Sequence, residues 1–300
     1  MRKPLGIIGG GNMGEALIAG VTHSSTLSPH EILFSEPRSD RRQNLQKKYH
    51  ISAAKSNLDL VLKCPMLILA VKPQTVAEVL SEIAPRIKPH HLLISICAGV
   101  LLDYIQSFFA QPIRIIRAMS NTPALIQKGA TALAASPRVT EEDLSSAVKI
   151  FQAMGQTFVV QESQMDIVTG LSGSGPAYVF AFIEALAAGG VKEGLPQDVA
   201  LSLANQTVLG AAHLMQITGQ HPAVLSSQVC TPGGTTVFGL YAMEKAGFRL
   251  AIMDAVTAAT GRSRQLGNAL RNSSNPIPFQ PQKKNGKGRS RTLRASRKCL

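Results

Sequence analysis

A short apolar run, Leu5-Gly6-Ile7-Ile8, leads without a break into Gly9-Gly10-Gly11-Asn12-Met13-Gly14, and residues at helical spacing follow. A buried strand must here reverse into a helix within a few residues, which leaves the chain little freedom. The glycines allow it: one for the tight turn, one for close approach of a ligand to the backbone, one for helix–strand packing. The helix that opens there presents free N–H groups and the positive end of its dipole, which suits a pyrophosphate. Gly9, Gly11, Asn12, Met13 and Gly14 are therefore the expected cradle of a dinucleotide, at the head of an α/β domain.

The alternation continues downstream. Residues 32–34, 66–71, 92–96 and 113–116 read as further buried parallel strands, with amphipathic helical stretches such as 40–49 and 75–87 between them. Residues 131–135 and 157–160, with a helix over 141–154, extend the sheet. This pattern predicts a Rossmann-like, doubly wound domain over residues 1–162. From residue 163 the texture changes to long Ala- and Leu-rich helices, over 177–191, 198–217, 235–245 and 249–270. Pro176 sits in a first helical turn, with Ser174 as its expected cap. The apolar character of these helices extends round more than one face, so an all-α dimerisation domain is expected over 163–271.

Composition narrows the function classes. The chain has 300 residues, 45% of them hydrophobic, and a net charge of +13. Eight Lys and Arg and no acid fall in residues 272–300, which leaves +5 on the rest. That segment is also rich in Ser, Asn, Pro and Gln, so a disordered basic tail is expected there, and a nucleic-acid role is disfavoured. The absence of Trp argues the same way, since base stacking needs aromatic platforms. Cys64, Cys97, Cys230 and Cys299 form no CxxC pair, so a reducing compartment and no metal site are expected. Residues 177–191 contain Glu184 and fall short of a membrane span, and the first apolar run is too short for a signal peptide. A soluble, cytoplasmic protein is the expectation.

Ligands of open α/β sheets bind outside the carboxyl ends of the strands, so the turns there are site candidates. After the second strand comes Ser35-Glu36-Pro37-Arg38, where Glu36 stands at the distance of a ribose-binding acid. Ser35, Arg38, Arg41 and Arg42 suit a ribose 2′-phosphate instead, which leaves NAD and NADP both open with a lean to NADP. Ala70-Val71-Lys72-Pro73, Cys97-Ala98-Gly99 and Asn121-Thr122-Pro123 occupy equivalent places after later strands. Cys97 reads as a small buried hydrophobe rather than a nucleophile. In the helical half, Leu171-Ser172-Gly173-Ser174-Gly175-Pro176 reads as a Gly/Ser turn at a helix start. Thr231-Pro232-Gly233-Gly234-Thr235-Thr236 opens directly into another helix, as an anion nest, a Thr-capped helix entry, or both. His213 and His221 read as structural.

These motifs together resemble the pyrroline-5-carboxylate reductase family. The resemblance rests on residues 7–14, on AVKP at 70–73, on NTP at 121–123, on TGLSGSGPAYVF at 169–180 and on PGGTT with the following Val237-Phe238-Gly239-Leu240. It implies reduction of 1-pyrroline-5-carboxylate to L-proline by NADPH or NADH, and an interlocked homodimer, often built into decamers, with sites at the interface. It further implies that Thr231, Gly233, Gly234, Thr235 and Thr236 bind the substrate carboxylate and that Thr236 hydrogen-bonds the ring nitrogen. Ser35, Asn57, Ala70, Val71, Lys72, Pro73, Ala98, Gly99 and Asn121 are carried as cofactor contacts. Ser120 and Thr231 stand where the family often has Pro and Ser. The β-hydroxyacid dehydrogenases place a catalytic lysine one turn into the helix after their glycine motif. Here that turn reads Ala177-Tyr178-Val179-Phe180, which argues against an alcohol substrate.

Overall fold

The computed structural model describes residues 5–273. Met1 to Pro4, the expected tail beyond residue 273 and Cys299 lie outside them. Eight strands form one sheet: β1 (Leu5–Ile8), β2 (Ile32–Ser35), β3 (Ser52–Ala53), β4 (Met66–Leu69), β5 (Leu92–Ser95), β6 (Arg114–Met119), β7 (Gly129–Ala135) and β8 (Gly155–Val159). Their order is β3-β2-β1-β4-β5-β6-β7-β8. The direction of chain growth therefore reverses between β1 and β4, which opens a ligand crevice at their carboxyl ends.

Strand side chains alternate between two faces, and each face has its own core. On one, Ile7, Phe34, Ile68, Ile94 and Ile116 pack with residues of α1 (Asn12–His23), α2 (Ser39–Tyr49) and a later helix that contributes Phe151. On the other, Ile8, Leu67, Leu69, Leu93 and Ile115 meet α3 (Asn57–Lys63), α4 (Val76–Ile83) and α5 (Leu102–Gln106). That later helix is α6 (Glu141–Gln152), whose start is held by a capping box between Thr140 and Asp143. β6 and β7 pair antiparallel while all other neighbours are parallel. The reason is local: the link from Met119 to Gly129 is too short for a crossover, and its 3₁₀ turn (Thr122–Ile126) folds the chain straight back.

Beyond β8 the chain is helical: α7 (Met165–Val168), a five-residue π-helical segment (Thr169–Gly173), α8 (Gly175–Lys192), α9 (Gln197–Thr218), α10 (Pro222–Val229), α11 (Thr235–Lys245) and α12 (Phe248–Ser273). Two expectations are corrected here. Ser174 has helical φ and ψ and makes no side-chain cap, so the chain passes from the π-helical Thr169–Gly173 into α8 without a capped turn. One helical run therefore spans Glu162–Lys192, 31 residues, which by length and composition is enough to cross a membrane. Its apolar side chains share their exposure with the neighbouring helices. Phe180, Leu203, Leu209, Phe238, Leu250 and Met253 all face outward, so the whole domain and not one helix lacks a cover.

Buried His91 closes the turn before β5: its Nδ1 accepts from the Lys88 N–H at 2.9 Å and its Nε2 meets the Val61 carbonyl at 3.1 Å. Burial, with help from the nearby His90 and Lys88 charges, holds its pKa below the ordinary 6.5. The unfolded chain takes up a proton near that ordinary value and the folded chain resists it, so stability falls as pH drops below about 6.5. The slope is at most about 1.4 kcal/mol per pH unit. Denaturant titrations at neutral and mildly acid pH should show this loss in the natural protein and a smaller one in His91→Asn. Equal losses would remove His91 as the cause.

Candidate active site

Backbone crowding shapes the loop after β1. Gly9 takes φ +104°, and a Cβ there would lie 2.5 Å from the Ala70 carbonyl oxygen. A Cβ on Gly14 would lie 2.2 Å from the Gly9 carbonyl oxygen, so α1 sits where only glycine admits it. Gly11 differs: nothing lies within 4 Å of the place its side chain would take. It is also the N-cap of α1 and makes no side-chain cap bond. The first N–H groups of the helix, at Asn12 and Met13, thus open onto free space, as a pyrophosphate requires.

Gly10 is clamped from both sides. Its N–H donates to Glu36 Oε2 at 3.0 Å, and its carbonyl accepts from Arg41 Nε at 2.8 Å. Arg41 also pairs with Glu15, and Arg42 Nη1 donates to the Glu36 carbonyl at 2.8 Å. Of the two readings open for this turn, these contacts weigh against Glu36 as a ribose acid: the carboxylate is buried and turned inward onto the loop. Burial alone would raise its pKa, but hydrogen bonds from the Arg38 side chain and from the N–H groups of Arg38 and Gly10 outweigh it, and the value is lowered. Arg41 and Arg42 are likewise engaged with the protein. Arg38, held through Nε on Glu36 at 3.0 Å, keeps a side chain that is 61% exposed at the tip of β2. Ser35 Oγ donates to Asn57 Oδ1 at 2.5 Å beside it, and Asn57 Nδ2 donates to Glu82 at 2.6 Å. A guanidinium anchored through Nε and otherwise exposed, next to hydroxyl and amide groups, fits a 2′-phosphate better than a pair of ribose hydroxyls.

Farther along the crevice, the Ala70 N–H bonds to the Ile8 carbonyl at 2.8 Å, which seats Val71, exposed Lys72 and Pro73 above β1. Cys97 is buried, and its thiol lies 3.2 Å from the Val71 carbonyl. Burial pushes its pKa up to about 11, so it spaces the strand ends and is no nucleophile. Ala98 is exposed and Gly99 takes φ +75°. Asn121 does not offer its amide freely to the crevice. Its Oδ1 accepts from the Ala130 N–H and its Nδ2 donates to the Ser172 carbonyl, both at 3.0 Å, so it staples the sheet to the π-helical segment.

That segment lies tight on α12. A Cβ on Gly170 would fall 2.4 Å from Thr260 Oγ1, and the Tyr178 hydroxyl reaches the Gly170 and Ala255 carbonyls at 3.2 and 3.3 Å. The Thr231–Gly234 stretch forms a type II turn, with Pro232 second, Gly233 third at φ +70°, and the Gly234 N–H on the Thr231 carbonyl at 2.9 Å. The N-cap of α11 is Gly234, with no side-chain cap bond, which corrects the Thr-cap reading. The Thr231 hydroxyl instead lies against Gly234, where a Cβ would meet it at 2.2 Å. The opening N–H groups of α11, at Thr235 and Thr236, are therefore available to an anion. The chain does not enclose this loop: the space around Gly233 and Gly239 is open, and α11 packs chiefly on α12.

Sequence patterns missed Glu82, the partner of Asn57, and Arg117, a buried cation on β6 whose signal was a lone charge within Ile115-Ile116-Arg117-Ala118. Among the described residues, no group of three metal-ligating side chains could hold an ion.

Residues 162–266 match the family model described as pyrroline-5-carboxylate reductase dimerisation, and residues 4–99 match that of NADP oxidoreductase, coenzyme F420-dependent. The chain is 49% identical over 267 residues to the pyrroline-5-carboxylate reductase of Synechocystis sp., covering 89% of this chain and 99% of that one. It is 40% identical to the Arabidopsis thaliana enzyme of the same name, covering 88% of this chain and 96% of the relative. The solved pyrroline-5-carboxylate reductase of Coxiella burnetii superposes with a TM-score of 0.85 at 32% identity, over 89% of this chain and 99% of that one. The Plasmodium falciparum pyrroline carboxylate reductase, solved with NADP bound, gives 0.78 at 32% identity, over 89% and 98%.

If Glu36 serves the loop and Arg38 the 2′-phosphate, two variants should separate in binding titrations. Glu36→Gln should weaken NADH and NADPH alike. Arg38→Ala should weaken NADPH by about tenfold and leave NADH nearly unchanged, the size of one charge-assisted contact. A loss confined to NADH in Glu36→Gln would return that residue to the ribose.

Proposed function

This chain belongs to the pyrroline-5-carboxylate reductase family, and we propose that it reduces 1-pyrroline-5-carboxylate to L-proline with NADPH as the hydride donor, NADH serving as the alternative. The pyrophosphate is held by the glycine loop at Gly9, Gly11, Asn12, Met13 and Gly14, where Gly11 leaves open space at the uncapped start of α1. Ser35, Arg38 and Asn57 take the adenosine end. Ala70, Val71, Lys72, Pro73, Ala98 and Gly99 line the nicotinamide end, with Asn121 fixing the backbone behind it.

The substrate's carboxylate lies on the N–H groups of Thr235 and Thr236, with Gly233 and Gly234 letting it approach and Thr231 shaping the turn. The observation that carries this assignment is the type II turn that leaves α11 without a side-chain cap, so that its N–H groups and dipole are free for a small anion. Thr236, in the first turn of α11, places a hydroxyl beside the bound carboxylate, within reach of the ring nitrogen one carbon away. Reduction of an imine needs orientation, exclusion of water and a proton at nitrogen, and no strong general base. A hydroxyl and a set of N–H donors suffice to orient the ring, which accounts for the shortage of acid–base side chains around the site.

The helical domain is a dimerisation domain, and its exposed apolar faces are what a second copy covers. In this reading the loop at Thr231 to Thr236 serves the crevice of the partner copy, so that each site draws on two chains. The same reading places the protein in the cytoplasm as a homodimer able to build decamers, without nucleic-acid or membrane partners.

The test is NADPH oxidation with 1-pyrroline-5-carboxylate by the natural chain, Thr236→Ala and Thr236→Ser. Thr236→Ala should lower kcat by about tenfold to a hundredfold, in the range of one lost transition-state donor, with NADPH affinity nearly unchanged. Thr236→Ser should recover much of the rate. An unaffected rate in Thr236→Ala would remove this side chain from the mechanism.

A further inference from the structure

Strand β6 carries one permanent charge into the interior. Arg117 is 2% exposed and stands opposite Ser95 on β5. Arginine does not shed its proton, so its burial has to be compensated by charge. Glu162 Oε1 lies 3.7 Å from Nη1, and Asp166 Oδ1 lies 3.9 Å from Nη2. Both are ion pairs beyond hydrogen-bond length, and Nη1 has no hydrogen-bond partner among the described residues. Arg117 therefore acts as a central charge between two carboxylates.

Each carboxylate hands the constraint on. Glu162 Oε1 accepts the N–H of Leu102 at 2.6 Å, and Leu102 opens α5 just after the Cys97 to Gly99 turn. Asp166 Oδ1 accepts the Ser263 hydroxyl at 2.7 Å, on α12. One turn further along α12, a side chain at Gly267 would come within 3.3 Å of the Gly99 carbonyl oxygen. The path is closed: from the Gly99 turn through Leu102, Glu162, Arg117, Asp166 and Ser263, and back along α12 to Gly99. It encircles the junction between the two domains at the nicotinamide end of the crevice.

We propose that Arg117 is a positioning residue for hydride transfer, which sets the Ala98–Gly99 turn against α12 through Glu162 and Asp166 while touching neither cofactor nor substrate. This rests on the assignment of that crevice to the reduction. Without the cation the two carboxylates repel each other, and the turn and α12 are free to settle independently. Small displacements between reacting partners lower turnover more than binding.

The variants Arg117→Met, Arg117→Lys and Ser263→Ala, made in the full chain and assayed as the assembled enzyme, test this. In Arg117→Met, kcat should fall by about tenfold or more while KM for NADPH shifts less than about twofold. Amide hydrogen exchange without cofactor should quicken together in residues 98–102 and 263–267. Arg117→Lys should restore part of both, and Ser263→Ala should loosen the α12 leg with a smaller fall in kcat. Should Arg117→Met fail to fold, Ser263→Ala carries the test: a lower kcat at nearly unchanged KM for NADPH together with quicker exchange in residues 263–267 is expected, and an unchanged kcat overturns the proposal. A lower melting temperature with kcat per folded enzyme unchanged, or, in Arg117→Met, exchange quickened in one segment alone, overturns the proposal. Absence of any pyrroline-5-carboxylate reduction in the natural protein would instead overturn the assigned reaction, and the exchange measurement would still decide whether Arg117 couples the two segments.

Discussion

No side chain fits where β1, α1 and the end of β4 meet. The carbonyl groups of Gly9 and Ala70 occupy the space that a Cβ on Gly14 or Gly9 would need. This steric limit seats α1 on the sheet at the point where the strand order reverses, and everything at the crevice is placed relative to it. Gly10 then has no freedom, because Glu36 and Arg41 hold its two polar groups. The open position at Gly11 follows: Gly9 and Gly14 are required by the protein's own backbone and Gly10 by the Leu45 and Glu36 side chains, and the remaining space is left to a ligand. The cofactor crevice is thus a consequence of packing as much as of chemistry.

The helical domain is governed by a different constraint. Its helices leave large apolar side chains exposed on several faces, which water does not tolerate over so wide an area. A second copy of the same surface is the covering that a dimerisation domain supplies. The type II turn before α11 leaves the first N–H groups of that helix without a side-chain cap, and the space around Gly233 is open. One observation thus links assembly to chemistry, because the same association that buries the helices can bring the turn to a crevice.

The sequence disclosed most of this, and its failures were specific. The alternation of strands and helices predicted the doubly wound sheet, and the change of texture in the second half predicted the helices that follow it. What pattern reading missed depends on where side chains point. Glu36 has the residue type and spacing of a ribose ligand, yet it turns inward because the Gly10 N–H and Arg38 offer it better partners. Asn121 sits at a strand end like a ligand contact, but the Ala130 N–H and the Ser172 carbonyl use its amide. The glycines and serines of 171–175 spell a turn, and close packing on α12 through Gly170 keeps them helical instead. The short helices α3, α5 and α10 carried too few periods to stand out. Arg117 showed only as a single charge in an apolar strand, with its partners more than forty positions away.

The central claim is that cofactor and substrate meet in a site built from two chains. Subunit mixing tests it most directly. Gly14→Ala removes the cofactor half of a site and Thr236→Ala impairs the substrate half, so the first homodimer alone should be nearly inactive toward 1-pyrroline-5-carboxylate and the second should keep about a tenth of the rate or less. Equal mixing by denaturation and refolding gives heterodimers in which one of the two sites combines both intact halves. NADPH oxidation should then return to about one quarter of the natural rate, as two-fold symmetry requires. If mixing restores nothing although heterodimers form, each site lies within a single chain and the account is wrong.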